Sequence, residues 1–337
     1  ILLDTAMHRI ATTALLCSLP FLSSANEAYG PRLEGFDYPW PVKTFAFESQ
    51  RQTLEMAYLD VAPTGRPNGR TALLLHGKNF CAATWQTTID ALIAAGYRVI
   101  APDQIGFCKS SKPERYQYSF GQLAANTQAL LTHLGIEQAS VIGHSMGGML
   151  GIRYALDHSA QTRQLLLVNP IGLEDWKALG VPWRSVDAWY ANELKTSYES
   201  IRRYQLEVYY DGQWTPEFER WARMQAGAYL GAGKQAVAWS QALTSDMVFN
   251  QPVVHELKNI TVPTTFFIGQ KDRTAIGRDL APPALKATLG NYPALGRDAA
   301  AAVPGATLVR FEDLGHSPQV QAPARFNAAL LEALRGE

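Results

Sequence analysis

Charge of one sign is what this 337-residue chain conspicuously lacks: 30 basic side chains balance 30 acidic ones, for a formal charge of +0. Without a basic excess there is no electrostatic footprint for nucleic acid, and none for an anionic membrane surface. Cysteine is scarce at three residues, and no CxxC or HExxH spacing occurs that would build a zinc site. Heptad runs and internal repeats are also missing, which excludes coiled coils and solenoids. Disorder is excluded by the balance of 47% hydrophobic and 18% charged residues, which is that of a folded globular chain. The length allows one large domain or two small ones, with ample core.

The longest apolar run sits near the beginning. Met7-His8-Arg9 is a short basic start, Ile10 to Leu22 is mostly apolar, and Ser23-Ser24-Ala25 are small. This layout predicts a secretory signal peptide over residues 1–25, with Ile1 to Ala6 upstream of a start at Met7. The run is too short for a stable membrane anchor. Leu16 is bulky where lipid attachment at Cys17 would need a small residue. A buried N-terminal helix is the competing reading; export to the periplasm or medium is the expectation. Beyond the leader only Cys81 and Cys108 remain, a disulfide candidate in an oxidising compartment.

From residue 43 onward, short apolar runs alternate with helical patterns. Lys43–Ser49 and Thr53–Val61 read as strands around a tight turn, and Thr71–Leu75 as a strand ending at His76-Gly77. Ala82–Ala95 has helical spacing; Tyr97–Pro102 is a strand ending at Asp103. A helix over Ser119–Leu134, a strand at Ala139–Ile142, a helix over Met146–Asp157 and a strand at Gln164–Val168 follow. Such alternation indicates a mostly parallel sheet covered on both faces. It stops near Ile171 and resumes at Thr264–Ile268, with a last strand at Thr307–Phe311 and a closing helix at Ala324–Leu334. The stretch between is helical and aromatic, with Trp176, Trp183, Trp189, Trp214, Trp221 and Trp239. The expected organisation is a core over 26–170 and 257–337 with a helical cap inserted over 171–256.

Gly143-His144-Ser145-Met146-Gly147-Gly148 lies between a strand and a helix. The G-x-S-x-G pattern alone is weak, but a sharp strand-to-helix turn exposes the serine hydroxyl and needs glycines where a Cβ would clash. The helix start then offers N–H groups to a developing oxyanion. A serine needs a base, and the base an orienting acid. His316 follows the last strand, where groups of an open α/β sheet gather. Asp272 follows strand TTFFI, between serine and histidine in chain order; Asp313, close to His316, is its competitor. His76 precedes the serine and reads as a buttress of its turn, and His144 sits inside the elbow.

With these residues in hand, the chain from about Lys43 to its C-terminus resembles the α/β-hydrolase fold with a helical cap. The resemblance implies that His76-Gly77 opens an oxyanion turn, with the backbone amides of Lys78 and Met146 as donors. Asn79 stands where the family often has proline, and could contribute instead. Asp103-Gln104-Ile105-Gly106-Phe107-Cys108-Lys109-Ser110 resembles the D-x-x-G-x-G-x-S turn, with Cys108 in place of a usual glycine. In this fold the strands ending at His76 and Asp103 are neighbours, so the resemblance further implies that Cys81 and Cys108 could bridge the two loops.

The implied chemistry is acyl transfer without metal or organic cofactor. Ser145 attacks a carbonyl, His316 takes its proton, and Asp272 holds the imidazole. A serine at the elbow disfavours dehalogenation and epoxide opening, which use a carboxylate there. Small to medium apolar or aromatic carboxylic esters are the expected substrates, the cap aromatics suggesting such a pocket. Carbon–carbon, lactone, perhydrolase and iminopeptidase reactions remain alternatives. An iminopeptidase needs cap acids, but Glu193, Glu199 and Glu207 read as exposed helix charges. The stretch Arg278–Pro304 looks long for a link and is expected to border the site, with Tyr292 as one contact. A non-catalytic ligand-binding protein on the same fold is the reading of another class. The expected partner is a small-molecule ester; nothing in the sequence fixes the oligomeric state.

Overall fold

The computed structural model describes residues 27–336. The expected signal peptide falls on residues outside that range. Among the described residues, eight strands form one sheet in the order β1-β2-β4-β3-β5-β6-β7-β8. The strands are β1 (Lys43–Ser49), β2 (Gln52–Val61), β3 (Thr71–Leu75), β4 (Arg98–Pro102), β5 (Ala139–His144), β6 (Thr162–Val168), β7 (Thr264–Gly269) and β8 (Thr307–Phe311). β1 and β2 pair antiparallel, β2 pairs antiparallel with β4, and the remaining pairs are parallel. This is an α/β-hydrolase fold. Gln50 and Arg51 close the first hairpin in the left-handed region at φ +51° and +63°, the twist such a two-residue turn requires.

The continuous apolar runs of β3, β5 and β6 follow from burial on both faces. Helices α1 (Gln86–Ala94), α2 (Phe120–His133) and α3 (Met146–Asp157) lie among the first six strands. Ser119 caps α2 by accepting from the Gln122 amide, which satisfies one of the orphan donors of the first turn. Between β6 and β7 come four helices, α4 (Val186–Glu193), α5 (Tyr198–Tyr204), α6 (Pro216–Gly227) and α7 (Lys234–Asn250). A π-helical turn at Gln205–Tyr209 extends α5. The β7–β8 connection holds α8 (Pro283–Lys286) and α9 (Tyr292–Ala302), and the chain closes with α10 (Pro318–Gln321) and α11 (Pro323–Ala333). The length of that connection therefore has an ordinary cause: α9 is the crossover helix, and Gly296 packs it directly onto Ile268 of β7.

Two apolar clusters take opposite faces of the sheet. One gathers Leu73, Ile100, Val141, Leu165 and Phe266 with α2 and α3. The other gathers Leu74, Val99, Ile142, Leu166 and Phe267 with α1 and α11. Alternate residues of each strand serve alternate faces, as the two-residue period demands. No described helix is long and apolar enough to cross a membrane.

Candidate active site

Six neighbouring strands carry a polar residue at or just beyond their C-terminal ends. In sheet order these are Asp103, His76, Ser145, Asn169, Asp272 and His316. Each is at most 4% exposed, so the edge of an apolar sheet holds a dense polar row. Buried polar groups persist where they find hydrogen-bond partners; Asn169, Asp272 and His316 find them in one another, and Asp103 and His76 in nearby backbone.

Ser145 occupies the turn from β5 into α3 at φ +57°, ψ −118°, a strained conformation for a residue with a Cβ. Its glycine neighbours are sterically required. A Cβ at Gly143 would lie 2.2 Å from the Gly147 carbonyl, and one at Gly147 would lie 2.2 Å from that of Leu75. The elbow is thus pressed against β3, close to the His76-Gly77 turn.

Asp272 and His316 are both fully buried and joined: His316 Nδ1 donates to Asp272 Oδ2 at 2.6 Å. Asn169 Nδ2 donates to the same carboxylate oxygen at 2.9 Å, and the Thr274 amide to the other at 2.8 Å. Asn169 in turn accepts from the Gly269 amide. Sequence reasoning passed over Asn169 because it is no acid, yet it fixes the acid's geometry. Its signal was the strand-end position it shares with the others. Asp313, the competitor, is at the surface in an ion pair with Arg325.

His316 Nε2 is buried and has no hydrogen-bond partner. Ser145 and His316 share no hydrogen bond among the described residues; such links are often open in ligand-free sites. The two loops are nonetheless tied. His144 Nε2 lies 2.9 Å from the His316 carbonyl; because a carbonyl only accepts, this nitrogen carries the proton. Burial holds His144 well below the ordinary imidazole range, assisted by the neighbouring His316. Burial lowers the pKa of His76 as well. It accepts from the Gln104 amide at Nε2, and its Nδ1 donates to the Gly77 carbonyl at 2.9 Å, bracing the turn.

The amides of Lys78 and Met146 have no acceptor among the described residues, as oxyanion donors require before substrate arrives. Neither side chain of the 78–79 pair is idle. Lys78 reaches into the cap, donating to Gln241 at 2.6 Å and pairing with Glu193 at 3.6 Å; burial lowers its pKa. Asn79 donates to the Tyr209 hydroxyl at 2.9 Å. Tyr209 then covers the histidine: its ring centroid is 4.4 Å from that of His316, and its carbonyl accepts from the His316 amide at 2.9 Å. Sequence reasoning also missed Tyr209, which lies in a π-helical turn that no periodicity announces.

Cys81 and Cys108 form a disulfide, with Cα atoms 6.0 Å apart. Cys108 sits at φ +44°, which explains why glycine suits this position. Asp103 binds the same loops, accepting from the Ala82 and Lys109 amides and the Tyr38 hydroxyl.

Three expectations need correction. Ser145 opens into a cavity of about 610 Å³ between the sheet edge and the cap; Ile171, Trp189, Ile201, Tyr204 and Tyr209 line it as an apolar, aromatic pocket would require, but they stand beside an excess of arginine and lysine that was not expected. Of the six tryptophans, Trp189 lines it; Trp176 and Trp221 are core residues. Their indoles secure the helices, because large aromatics bury the most area where elements pack. Glu193 is not an exposed helix charge: it lies half-buried, paired with Lys78 and accepting from the Tyr229 hydroxyl, while Glu199 and Glu207 are exposed. The stretch Arg278–Pro304 does border the cavity, but through Arg278, Asp279 and Lys286; Tyr292 lies behind it, buried edge-on to His316 and donating to the Pro170 carbonyl.

A family model described as alpha/beta hydrolase fold matches residues 72–323. The chain belongs to this family. By family, then, it is a hydrolase. A solved structure of a probable hydrolytic enzyme from Pseudomonas aeruginosa PAO1 is 65% identical over 92% of this chain and 99% of its own, with a TM-score of 0.91. Among curated relatives, a cis-3-alkyl-4-alkyloxetan-2-one decarboxylase of Xanthomonas campestris is 32% identical over 40% of this chain and 46% of its own length. A 2-hydroxy-6-oxo-6-phenylhexa-2,4-dienoate hydrolase of Comamonas testosteroni is 29% identical over 42% and 51%. The chain thus spans about half the length of such relatives, or less.

Proposed function

We propose that this hydrolase is a serine enzyme that cleaves carboxylic esters through an acyl-enzyme. The observation that carries the reading is the buried, unpartnered Nε2 of His316, whose other nitrogen is held by Asp272. An imidazole so oriented has one nitrogen left for proton transfer, and Ser145 on the adjoining elbow is the nucleophile it would serve. His316 takes the Ser145 proton as Oγ attacks the carbonyl, the Lys78 and Met146 amides hold the oxyanion, and His316 returns the proton to the leaving alcohol. Water then repeats the sequence on the acyl-enzyme. Esters need no machinery beyond this set; carbon–carbon and lactone substrates would use the same residues.

The test is hydrolysis of p-nitrophenyl esters from acetate to palmitate by wild type and Ser145→Ala. Activity lost in the variant is the expected result. No activity on any ester, with Ser145 still labelled by a serine-reactive phosphonate, would move the reading to carbon–carbon, lactone or peptide substrates. No activity and no labelling would favour a ligand-binding protein on this fold. We further propose export to the periplasm or medium; the Cys81–Cys108 disulfide supports an oxidising compartment.

A further inference from the structure

The wall of the Ser145 cavity carries more positive charge than its own carboxylates balance. Two of its cations are matched, Arg184 with Asp279 at 2.5 Å and Lys78 with Glu193 at 3.6 Å. Arg203, Arg273, Arg278 and Lys286 make no ion pair among the described residues, and Glu207 is the wall carboxylate left to offset them. Glu174, outside the wall, interacts with Arg278 while accepting from the Gly290 amide and the Trp176 indole, so it offsets part of one of these charges.

Buried polar atoms of the same wall lack partners as well. Arg278 gives Nη2 to the Leu289 carbonyl, but its Nε is buried with no acceptor. Thr274 Oγ1, Trp189 Nε1 and Gln205 Oε1 are likewise unpartnered, on residues 2%, 7% and 0% exposed. These four atoms are covered by protein, so what a ligand in the cavity meets is the surplus of cations, and the ligand complementary to that surplus is an anion.

We propose that the cavity selects esters bearing a carboxylate away from the scissile bond, with Arg278 as its principal partner and Arg203, Arg273 and Lys286 around it. The inference rests on the serine-hydrolase reading and narrows it; a half-ester of a dicarboxylic acid is the simplest such substrate. Guanidinium suits this role because its planar fork matches a carboxylate, and the surrounding cations draw anions into the cleft. The chemistry is unchanged. The Ser145 Oγ–carbonyl bond forms as the ester C–O bond breaks, the serine proton passes through His316 to the alkoxide, and water releases the dicarboxylic acid.

The experiment compares kcat/KM for mono-p-nitrophenyl glutarate with that for p-nitrophenyl butyrate. A second pair, 4-butyryloxybenzoate against phenyl butyrate, puts the carboxylate on the alcohol side. At low salt the anionic member of one pair is expected to lead by about tenfold or more, and the leading pair tells which half of the ester meets Arg278. Arg278→Gln should cut that preference by about tenfold. Because Arg278 also ties the Leu289 carbonyl, the double variant Arg203→Gln/Lys286→Gln, at exposed side chains, gives a second reading of the same ratio. Glutarate titrated into Ser145→Ala protein, followed by tryptophan fluorescence, decides the anion site without turnover. Saturable binding weakened by Arg278→Gln supports it. Equal or lower rates on both anionic esters, or no saturable glutarate binding, overturn it. Loss of the serine-hydrolase reading would appear separately, as neutral-ester activity that survives Ser145→Ala.

Discussion

The two walls of the site differ in how their polar groups are satisfied. On the sheet side Asp272, Asn169, His144 and His76 bind one another or nearby backbone, while among the described residues His316 Nε2 and the Lys78 and Met146 amides are left without partners. Around the large cavity, the Trp189 indole and Gln205 amide of the cap and the Thr274 hydroxyl and Arg278 guanidinium of the β7–β8 connection stand buried without partners. The first wall is preorganised, its charges set before substrate arrives. The second is completed by whatever it binds. On the proposed reading, chemistry belongs to the rigid wall and selection to the unsatisfied one.

Substitutions in the rigid wall should therefore act on kcat and be large. Ser145→Ala should lower ester hydrolysis by roughly 10⁴-fold or more, checked by single-turnover kinetics with active-site titration. Asp272→Asn should cost about 10⁴-fold, because the amide would favour the wrong imidazole tautomer. If it behaved like Asp313→Asn, at a surface ion pair, the division between the walls would fail. Replacing both Cys81 and Cys108 by serine should reduce stability by about 3–4 kcal/mol for a separation of 27 residues, measured by denaturant unfolding.

Acid should also weaken the rigid wall. His76 and His144 are held below the imidazole value of 6.5 by burial. Below pH 6.5 the unfolded chain therefore binds protons that the folded chain refuses. Stability is full above that pH and falls as the pH drops, by about 1.4 kcal/mol per unit for each histidine; urea midpoints between pH 7.5 and 5 test this. The smallest effect should come where the walls meet. Tyr209→Phe removes the hydroxyl that accepts from Asn79 but keeps the ring over His316. It should lower kcat a few-fold, roughly what one hydrogen bond contributes, with KM little changed.

The same contrast explains what the sequence revealed. Strand-end residues were legible because a short apolar run fixes where a strand stops, and the glycines around Ser145 mark a turn that a Cβ would block. Chain order then pointed to Asp272 and His316. Asn169 escaped because an amide carries no signature of its service to a carboxylate. The cap wall was illegible for a deeper reason: which face of α4, α5 or the π-helical turn meets the cavity depends on tertiary packing, not on period. Trp176 and Trp221 suggested an apolar pocket but serve the core. Arg203 carried no signal in the sequence, yet it lines the cavity together with Arg278.

The most direct measurement of the central claim is covalent labelling with a serine-reactive phosphonate, read by peptide mass spectrometry in wild type and His316→Ala. The expected result is a single adduct on Ser145, formed rapidly in wild type and far more slowly without the histidine. An unmodified Ser145, or equal labelling in both proteins, would contradict a serine activated by His316 and Asp272.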